Sequence, residues 1–428
     1  MSNNNFENFR IVSDMVDTLT DSDIRKIAGL INKKINQGEK IFNLTIGDFN
    51  PKVFPVPNEY MNEVFNAYKE RHTNYPPIVG EPELRKTLSK FISDREHLDY
   101  SPDEFIVGGG GRPLIFTYFI SCVNPDETVV FPVPSWNNNY YAHIVKSKMV
   151  IIETSPENNF MPLADSIKPF IKDASLIAMC SPLNPTGTVL QKENLNLLCD
   201  LILEENQRRK KANIKPVYLM YDQIYWLLTY KNYKHYNPVS INPEMRKYTL
   251  FVDGMSKYFA GTGLRVGWGF ADDEVITKMK ALFSHMGAFP PKPEQIAASR
   301  FLANKEWVDS YIDNFKQEVS KRLFSFYEGF LKLKSKGYKV NAIEPQAAIY
   351  LTVQFDLIGL KKPDGKIIQS TEDITNYLID DAKVGLVPFS AFGSYNNPTW
   401  YRLSVGTCTH EEVSEILYNL ENSLSKLS

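Results

Sequence analysis

The chain has 428 residues, of which 43% are hydrophobic and 23% are charged, values typical of a globular protein with room for a large and a smaller domain. Its 48 basic and 50 acidic residues give a formal net charge of -2, so there is no general electrostatic reason to expect nucleic acid. Four scattered cysteines, an N-terminus without signal-peptide order and no membrane-length apolar run predict a cytoplasmic protein.

The first predicted elements are a helix and a short strand. Apolar residues recur at steps of three and four between Asp21 and Gln37, which predicts an amphipathic helix. A strand-like run starts at Ile41 and is broken by turn residues around Gly47. Further along, Tyr75 precedes a Pro-Pro pair, and by itself this pattern predicts only a turn.

A glycine-rich turn follows the strand predicted at Phe105. Residues 108–111 are all glycine, and they stand between this strand and a predicted helix start. Bare backbone N–H groups at a helix N-terminus favour an anion, because these donors lack partners and the helix dipole adds to their effect. The spacing matches neither a Rossmann nor a Walker motif, so the run acquires meaning only beside other motifs.

The apolar runs that follow end in residues suited to a ligand site. Each of these residues also has an ordinary interpretation, since a lone tryptophan is mostly core and an Asn-Pro-Thr-Gly or Asp-x-x-Tyr segment is mostly a turn. Strands alternating with helical segments between about 55 and 305 predict an α/β domain with a largely parallel sheet, whose strand ends bind ligands. The residues at these ends are Trp136, Asn184, Asp222 and Tyr225.

The stretch from Gly254 to Trp268 places Lys257 eight residues before Arg265 among glycines and small residues. Glycines let the backbone approach a ligand, and an arginine fork suits phosphate. A lysine that has lost its proton attacks a carbonyl group to form a Schiff base. An isolated Ser-Lys pair is more often a surface feature, so this stretch is interpreted together with the other motifs.

The C-terminal part is predicted to be mixed α and β. Apolar residues that step by three or four over residues 308–330 predict a long amphipathic helix whose aromatic stripe is core. Arg402 follows in a strand-like run, where a surface role is equally ordinary. His410 begins a zinc-like motif, but Ser414 stands at the second histidine position, so we predict no metal site.

Together these motifs resemble the class I and II aminotransferases, which are pyridoxal-phosphate enzymes of fold type I. The resemblance runs from about residue 40 to 406 with the motifs in family order. It implies a large domain with a mainly parallel seven-stranded sheet between helices, plus a smaller α/β domain. The expected parts are an N-terminal arm with part of the small domain (1–54), the large cofactor-binding domain (55–305) and the small C-terminal domain (306–428).

The resemblance also implies the catalytic and ring-binding residues. Lys257 is expected to form the Schiff base with pyridoxal phosphate and then to move a proton as the base. Asp222 is expected to pair with the pyridinium nitrogen, and Tyr225 to hydrogen-bond the ring oxygen. Trp136 is expected to stack on the pyridine ring, and Asn184 to donate to the ring hydroxyl oxygen. The expected catalytic residues are therefore Lys257, Asp222 and Tyr225.

The phosphate of the cofactor has its own expected contacts. By resemblance these are the glycine turn at Gly110 and Gly111, the hydroxyl of Ser256 and the guanidinium of Arg265. Tyr75 of the partner subunit would complete the phosphate site. The resemblance therefore implies a homodimer with shared active sites.

Substrate contacts are expected at Gly47, Asn184 and Trp136, and at Arg402, which would grip the α-carboxylate bidentately. Arg112 stands where a bacterial subgroup of aspartate and prephenate aminotransferases has a lysine for the distal carboxylate. Both a distal-carboxylate role and a phosphate-side or exposed role stay open for it. The implied reaction moves an amino group from an L-amino acid, aspartate or another acidic or aromatic donor, to a 2-oxo acid such as 2-oxoglutarate, in a ping-pong cycle.

Three positions depart from the family pattern, and two other functions are compatible with the cofactor-binding motifs. Gly254 stands where many relatives have a phosphate-binding serine, and Ala347 and Phe389 replace glycines; Phe389 is expected to add bulk beside the pocket. A carbon–sulfur β-lyase would share the cofactor site. A non-catalytic pyridoxal-phosphate-sensing domain of a transcription regulator is less expected, because roughly 40 residues before the aminotransferase-like part are too few for a DNA-binding module.

Overall fold

The structure, a computed structural model, describes residues 12–20 and 23–428 of the chain. It contains a seven-stranded sheet, a four-stranded antiparallel sheet and a pair of short parallel strands. The strands are β1 (Phe42–Asn43), β2 (Phe105–Gly108), β3 (Thr128–Val133), β4 (Lys148–Glu153), β5 (Ala174–Cys180), β6 (Tyr218–Asp222), β7 (Thr249–Gly254), β8 (Gly267–Phe270), β9 (Val340–Ala342), β10 (Tyr350–Phe355), β11 (Val384–Gly385), β12 (Val387–Pro388) and β13 (Trp400–Ser404).

The helices surround these sheets. The predicted helix between Asp21 and Gln37 is present as α2, while Asp21 lies outside the described residues. None of the helices within the described residues is long and apolar enough to cross a membrane. The helices are α1 (Asp14–Asp17), α2 (Asp23–Asn36), α3 (Asn58–Lys69), α4 (Pro82–Glu96), α5 (Gly111–Cys122), α6 (Asn138–Ile144), α7 (Ala164–Ile167), α8 (Lys192–Lys211), α9 (Pro238–Ile241), α10 (Asp273–Met286), α11 (Lys292–Ala303), α12 (Lys305–Ser335), α13 (Thr371–Asp380) and α14 (His410–Leu424).

The large sheet has the strand order β2-β8-β7-β6-β5-β3-β4. Strand β8 is antiparallel to both of its neighbours, while β4, β3, β5, β6 and β7 pair in parallel. The predicted fold class, an α/β protein with a mainly parallel seven-stranded sheet, is therefore confirmed. Asp222 at the end of β6 lies beside Val252 of β7, so the ends of these strands meet at one edge of the sheet.

Two apolar cores cover the two faces of this sheet. In β5, Leu176 and Ala178 belong to one core, while Ile177 and Met179 belong to the other. This division follows from the strand geometry, because successive side chains point to opposite faces. Since both faces are covered, the strands are continuous apolar runs rather than alternating ones.

The long helix α12 confirms the helical prediction over residues 308–330. The apolar residues that defined its period are buried: Val308, Ile312, Phe315, Val319, Leu323, Phe326 and Phe330. The predicted domain boundaries on either side of residues 55–305 stay predictions.

The four-stranded sheet is joined to the loop that follows β5. The amide N–H of Ala347 donates to the Gly187 carbonyl at 2.8 Å, and Thr352 Oγ1 donates to the Thr186 carbonyl at 2.8 Å. Gly187 has a φ of +70°, and a Cβ there would lie 2.2 Å from the Tyr350 carbonyl, so only glycine permits this approach. Thr352 pairs with Arg402 across β10 and β13, which brings this arginine to the same region.

Candidate active site

A cavity of about 580 Å³ lies beside the ends of β5, β6 and β7. It brings together residues that are far apart in sequence, from the start of the chain, the large sheet and the last strand. The predicted site residues that line it are Gly47, Gly111, Arg112, Trp136, Asn184, Asp222, Tyr225, Ser256, Lys257, Arg265 and Arg402. Gly110 lies next to this lining, and Tyr75 lies elsewhere.

Lys257 follows β7 and projects into the cavity. Its Nζ donates to the Gly47 carbonyl at 2.6 Å. Burial lowers the pKa of Lys257 to about 8; the positive charges of Arg402 and Arg112 also lower it, and the carboxylate of Asp48 opposes this shift. A lysine that loses its proton near neutral pH is suited to nucleophilic attack and to base catalysis.

Asp222 and Tyr225 come from the end of β6 and the turn after it. Burial raises the pKa of Asp222 to about 6, against the opposing effects of the Ile224 N–H and the Lys257 charge. The Ile224 amide donates to Asp222 Oδ1 at 3.1 Å. The hydroxyl of Tyr225 lies 2.7 Å from that of Tyr350. A buried carboxyl of this kind is suited to a partner that carries a positive charge.

Arg402 is buried in β13, with 1% of its surface exposed. Its Nη1 donates to Asn184 Oδ1 at 2.9 Å and its Nη2 donates to the Thr45 carbonyl at 2.5 Å. Its Nε has no hydrogen-bond partner among the described residues. A buried guanidinium held only by neutral oxygens is costly unless an anion binds it, so this group is suited to a carboxylate.

Arg265 and the glycine turn form the opposite end of the site. Arg265 Nη2 donates to the Gly109 carbonyl at 2.8 Å, and Nη1 donates to the Thr262 carbonyl at 2.7 Å. Gly110 has a φ of +93°, and a Cβ there would lie 2.4 Å from Arg265 Nη2. Helix α5 begins at Gly111, so the turn presents a helix N-terminus beside an exposed guanidinium. Both features favour a bound phosphate.

Arg112 and Trp136 lie together on the cavity wall. The Arg112 guanidinium carbon is 5.2 Å from the centroid of the Trp136 ring, within cation–π range. Arg112 is exposed and Trp136 is partly buried, so each offers part of its surface to the cavity. Of the two roles left open for Arg112, this position on the cavity wall is compatible with either.

The three departures from the family pattern lie outside the cavity lining. Phe389 is fully buried and packs edge-on against Phe160 at 4.9 Å. Trp136 of the cavity lining packs against the same apolar cluster, so Phe389 lies behind the cavity wall, and its effect on the substrate stays a prediction. At Gly254 a Cβ would lie 2.8 Å from Gly267 Cα, which explains the glycine by close strand packing. Ala347 is buried against the loop at Gly187.

Several cavity residues carry no sequence prediction. The Tyr350 hydroxyl pairs with that of Tyr225, and its ring lies under the Arg402 guanidinium at 4.7 Å. Asp48 accepts a hydrogen bond from Thr262 at 2.5 Å, and Arg25 lines the cavity from α2. The position of Asp48 directly after Gly47, in the turn predicted there, was the available signal.

Tyr75 does not line the cavity of its own chain. Its side chain is 86% exposed, and its ring lies edge-on to Phe289 at 6.3 Å. It lines a separate surface depression with the proline-rich segment before α11.

Comparison with known proteins gives similarities along nearly the whole chain. A family model described as aminotransferase class I and II matches residues 39–420. An aspartate aminotransferase from Bacillus sp. (strain YM-2) is 28% identical over 403 residues, with 93% of this chain and 95% of the relative covered. A Rickettsia felis protein described as a probable aspartate/prephenate aminotransferase is also 28% identical, with 88% of each chain covered.

Solved structures give the same result for the fold. An aspartate aminotransferase from Rhizobium meliloti has a TM-score of 0.89 at 24% identity, with 98% of this chain and all of that chain (100%) covered. An aspartate aminotransferase from Thermus thermophilus, solved with maleate, has a TM-score of 0.85 at 25% identity, with 97% and 100% covered.

Proposed function

The chain belongs to the class I and II aminotransferase family and is a transaminase; from this premise, we propose that it transfers the amino group of an acidic L-amino acid to a 2-oxo acid. The observation that carries the proposal is one cavity that presents Lys257, Asp222 and Arg402 together with Arg112. The β-lyase and the regulator are not favoured, because the matched family and the named relatives are aminotransferases.

The residues of the cavity fit the family's cofactor, pyridoxal phosphate. The exposed guanidinium of Arg265 and the N-terminus of α5 suit a phosphate, and the buried carboxyl of Asp222 suits a protonated ring nitrogen. Trp136 offers a ring face, while Asn184 and Tyr225 offer polar groups at the cavity wall. When bound, the cofactor supplies an electron sink for the bonds around the amino acid's Cα.

The chain's own residues then have distinct tasks. Lys257 would hold the cofactor through Nζ, and its free amine would serve as the base that moves a proton at the substrate's Cα. Arg402 orients the substrate by binding its α-carboxylate. The Nη1 and Nη2 groups of Arg402 contact only neutral oxygens within the chain, so the positive charge is left for this carboxylate. Asp222 would hold the proton on the ring nitrogen, since a carboxylate close to a cation favours the charged form.

The proposal of an acidic donor rests on the charges around the cavity. Its lining holds two carboxylates, those of Asp48 and Asp222. Against these it holds five cationic side chains: Arg25, Arg112, Arg265, Arg402 and Lys257. A phosphate at Arg265 and an α-carboxylate at Arg402 leave the positive charges of Arg112 and Arg25 to favour a further anion, and Arg112 is the one that contacts Trp136 on the wall. The relatives named as aspartate aminotransferases, one solved with the dicarboxylate maleate, support this assignment.

The proposed donor is tested by amino transfer with and without Arg112. In the wild type, L-aspartate should convert the visible cofactor band to that of the amino form, and 2-oxoglutarate should restore it. Arg112→Gln should lower kcat/KM for aspartate by about 10- to 100-fold, because a charge-assisted contact is lost, and leave L-alanine nearly unchanged. Equal losses for aspartate and alanine would remove Arg112 as a distal-carboxylate residue while keeping the enzyme class.

Cofactor uptake by the protein freed of cofactor should depend on pH through Lys257. Only the neutral amine attacks an aldehyde, and burial lowers its pKa to about 8. Uptake, followed by growth of the visible band, should therefore speed up as pH rises toward about 8 and then level off. In Arg112→Gln the curve should move to higher pH, because a nearby positive charge has been removed. A rate that is flat over this range would contradict the assignment.

We also propose a homodimer in which Tyr75 of the partner subunit completes the phosphate site. Its 86% exposure, away from its own cavity, supports a role on a second copy. Chains carrying Lys257→Ala and chains carrying Tyr75→Ala, unfolded together and refolded, should regain roughly a quarter of wild-type activity, since half the dimers are hybrids with one intact site. If Tyr75 acted within its own chain, mixing would restore nothing; each variant refolded alone is the control.

We place the enzyme in the cytoplasm. The four cysteines are free thiols in the structure, as suits a reducing compartment.

A further inference from the structure

A buried carboxyl lies directly behind the cavity. Asp253 is the fifth residue of β7 and is 0% exposed. Its neighbour Val252 lines the cavity, and successive side chains of a strand point to opposite faces. The Asp253 side chain therefore lies on the face of the sheet that is turned away from the cavity, and the proposed chemistry makes no direct use of it.

Two side chains from different loops and one backbone N–H of β7 itself donate to this carboxyl. Trp226 Nε1 donates to Oδ2 at 2.8 Å, and Tyr258 Oη donates to Oδ1 at 2.9 Å. The backbone N–H of Gly254 donates to Oδ1 at 2.7 Å. Trp226 directly follows Tyr225, and Tyr258 directly follows Lys257. One buried carboxyl is thus bonded to the chain neighbours of both residues.

We propose that Asp253 is a positioning residue that ties the loop carrying Lys257 to the loop carrying Tyr225. The proposal rests on the proposed function, in which these two residues act on the cofactor. The tie is direct, since each donor side chain is adjacent in sequence to the residue it positions. It is also stiff, because Trp226 and Tyr258 are buried and their rings pack edge-on at 6.3 Å.

A second buried carboxyl extends the same arrangement behind Asp222. Glu96 accepts hydrogen bonds from Gln223 Nε2 at 2.7 Å and from Asn237 Nδ2 at 2.9 Å. Gln223 directly follows Asp222 in the chain. Buried carboxyl groups need donors that satisfy them, and here one of the two donors adjoins a residue of the proposed site.

The first test compares two tyrosines that lose the same group. Tyr258→Phe breaks the bond to Asp253, whereas Tyr118→Phe breaks a buried bond to the Phe251 carbonyl, 3.0 Å long, on the same strand. Both should lower the melting temperature by similar amounts. Only Tyr258→Phe should speed cofactor release, by about 5- to 10-fold, and change the rate at which formaldehyde and cyanoborohydride label Lys257 in the cofactor-free protein. Equal release and labelling rates in the two variants would overturn the proposal.

The second test uses a donor conflict at Asp253. In Asp253→Asn the amide has two orientations. One turns its NH₂ group toward the Trp226 N–H and the other turns it toward the Gly254 N–H, so a donor faces a donor in both. Adding Trp226→Phe removes the first conflict, so the double variant should release cofactor more slowly than Asp253→Asn alone. If the two substitutions increased the cofactor-release rate additively, or by more than that, Asp253 and Trp226 would not act through one shared hydrogen bond. Wild-type protein that never takes up cofactor on Lys257 would instead refute the proposed function, so the two failures are distinguishable.

Discussion

Replacing Lys257 by alanine is expected to lower kcat/KM for amino transfer by at least ~10⁴-fold. Two contributions are lost together: the covalent hold on the cofactor, and the base, which alone contributes about 10² to 10⁴-fold. The lysine is prepared for both tasks in the structure, because burial lowers its pKa to about 8 and its Nζ is held at 2.6 Å from the Gly47 carbonyl. Steady-state kinetics with aspartate and 2-oxoglutarate measure this loss.

The same variant should lose the visible band that depends on the lysine, while a protein mixed with cofactor still binds it through the phosphate site. Added methylamine should restore part of the activity, since a free amine takes over the proton transfer. Lys278→Ala, an exposed position on α10, is the matched control and should behave as wild type. A Lys257→Ala protein that keeps both the band and more than about 1% of wild-type kcat/KM would refute the assignment.

The residues predicted from the sequence are those that stand in short motifs at the ends of strands. The apolar runs predicted from the sequence are β5, β6 and β7 in the structure. Asn184 follows β5, Asp222 ends β6 and Lys257 follows β7, and parallel strands bring these ends together. For these residues, local spacing and the fold rule were sufficient to predict that they share one cavity. The roles assigned to them still rest on the family resemblance.

The residues missed by the sequence depend on contacts between distant segments. Tyr350 meets Tyr225 across 125 positions, and Asp48 meets Thr262 across 214 positions. No local pattern encodes such a pair, because each partner has an ordinary neighbourhood of its own. The surroundings of Phe389 were hidden for the same reason: its position in the motif was known, but the apolar cluster that receives its ring was not.

The strand predicted from Ile41 shows a further limit of the sequence. Only Phe42–Asn43 forms a strand, which pairs with Val384 and Gly385 of β11. The following residues are instead used for the site, where the carbonyls of Thr45 and Gly47 accept from Arg402 and Lys257. A run with strand composition thus leads into a ligand-site segment, because these two carbonyls accept from side chains and not from a neighbouring strand.

Asp222→Asn is expected to lower kcat/KM by about 10² to 10³-fold, because removing one partner of a buried charge pair costs about 3–5 kcal/mol. The loss should fall on kcat, since Arg265, the glycine turn and Lys257 still hold the cofactor, and the cofactor-release rate is the check on this point. Stability should change in the opposite direction. Burial raises the pKa of Asp222 to about 6 in the protein without cofactor, so above that pH its ionised carboxyl lowers the stability of the fold.

In the cofactor-free state near pH 8, Asp222→Asn should therefore melt at a temperature no lower than the wild type, and the advantage should disappear as pH falls below about 6, where the wild-type carboxyl binds a proton. Loss of activity without loss of stability separates a functional carboxylate from a structural one, since a residue kept for folding would lower both. If the variant melted well below the wild type at pH 8, Asp222 would be a structural residue and the pairing with a ring cation would be refuted. The cost of an ionised, buried carboxyl that hydrogen bonds offset only in part is then the physical reason why this position favours a cationic ring.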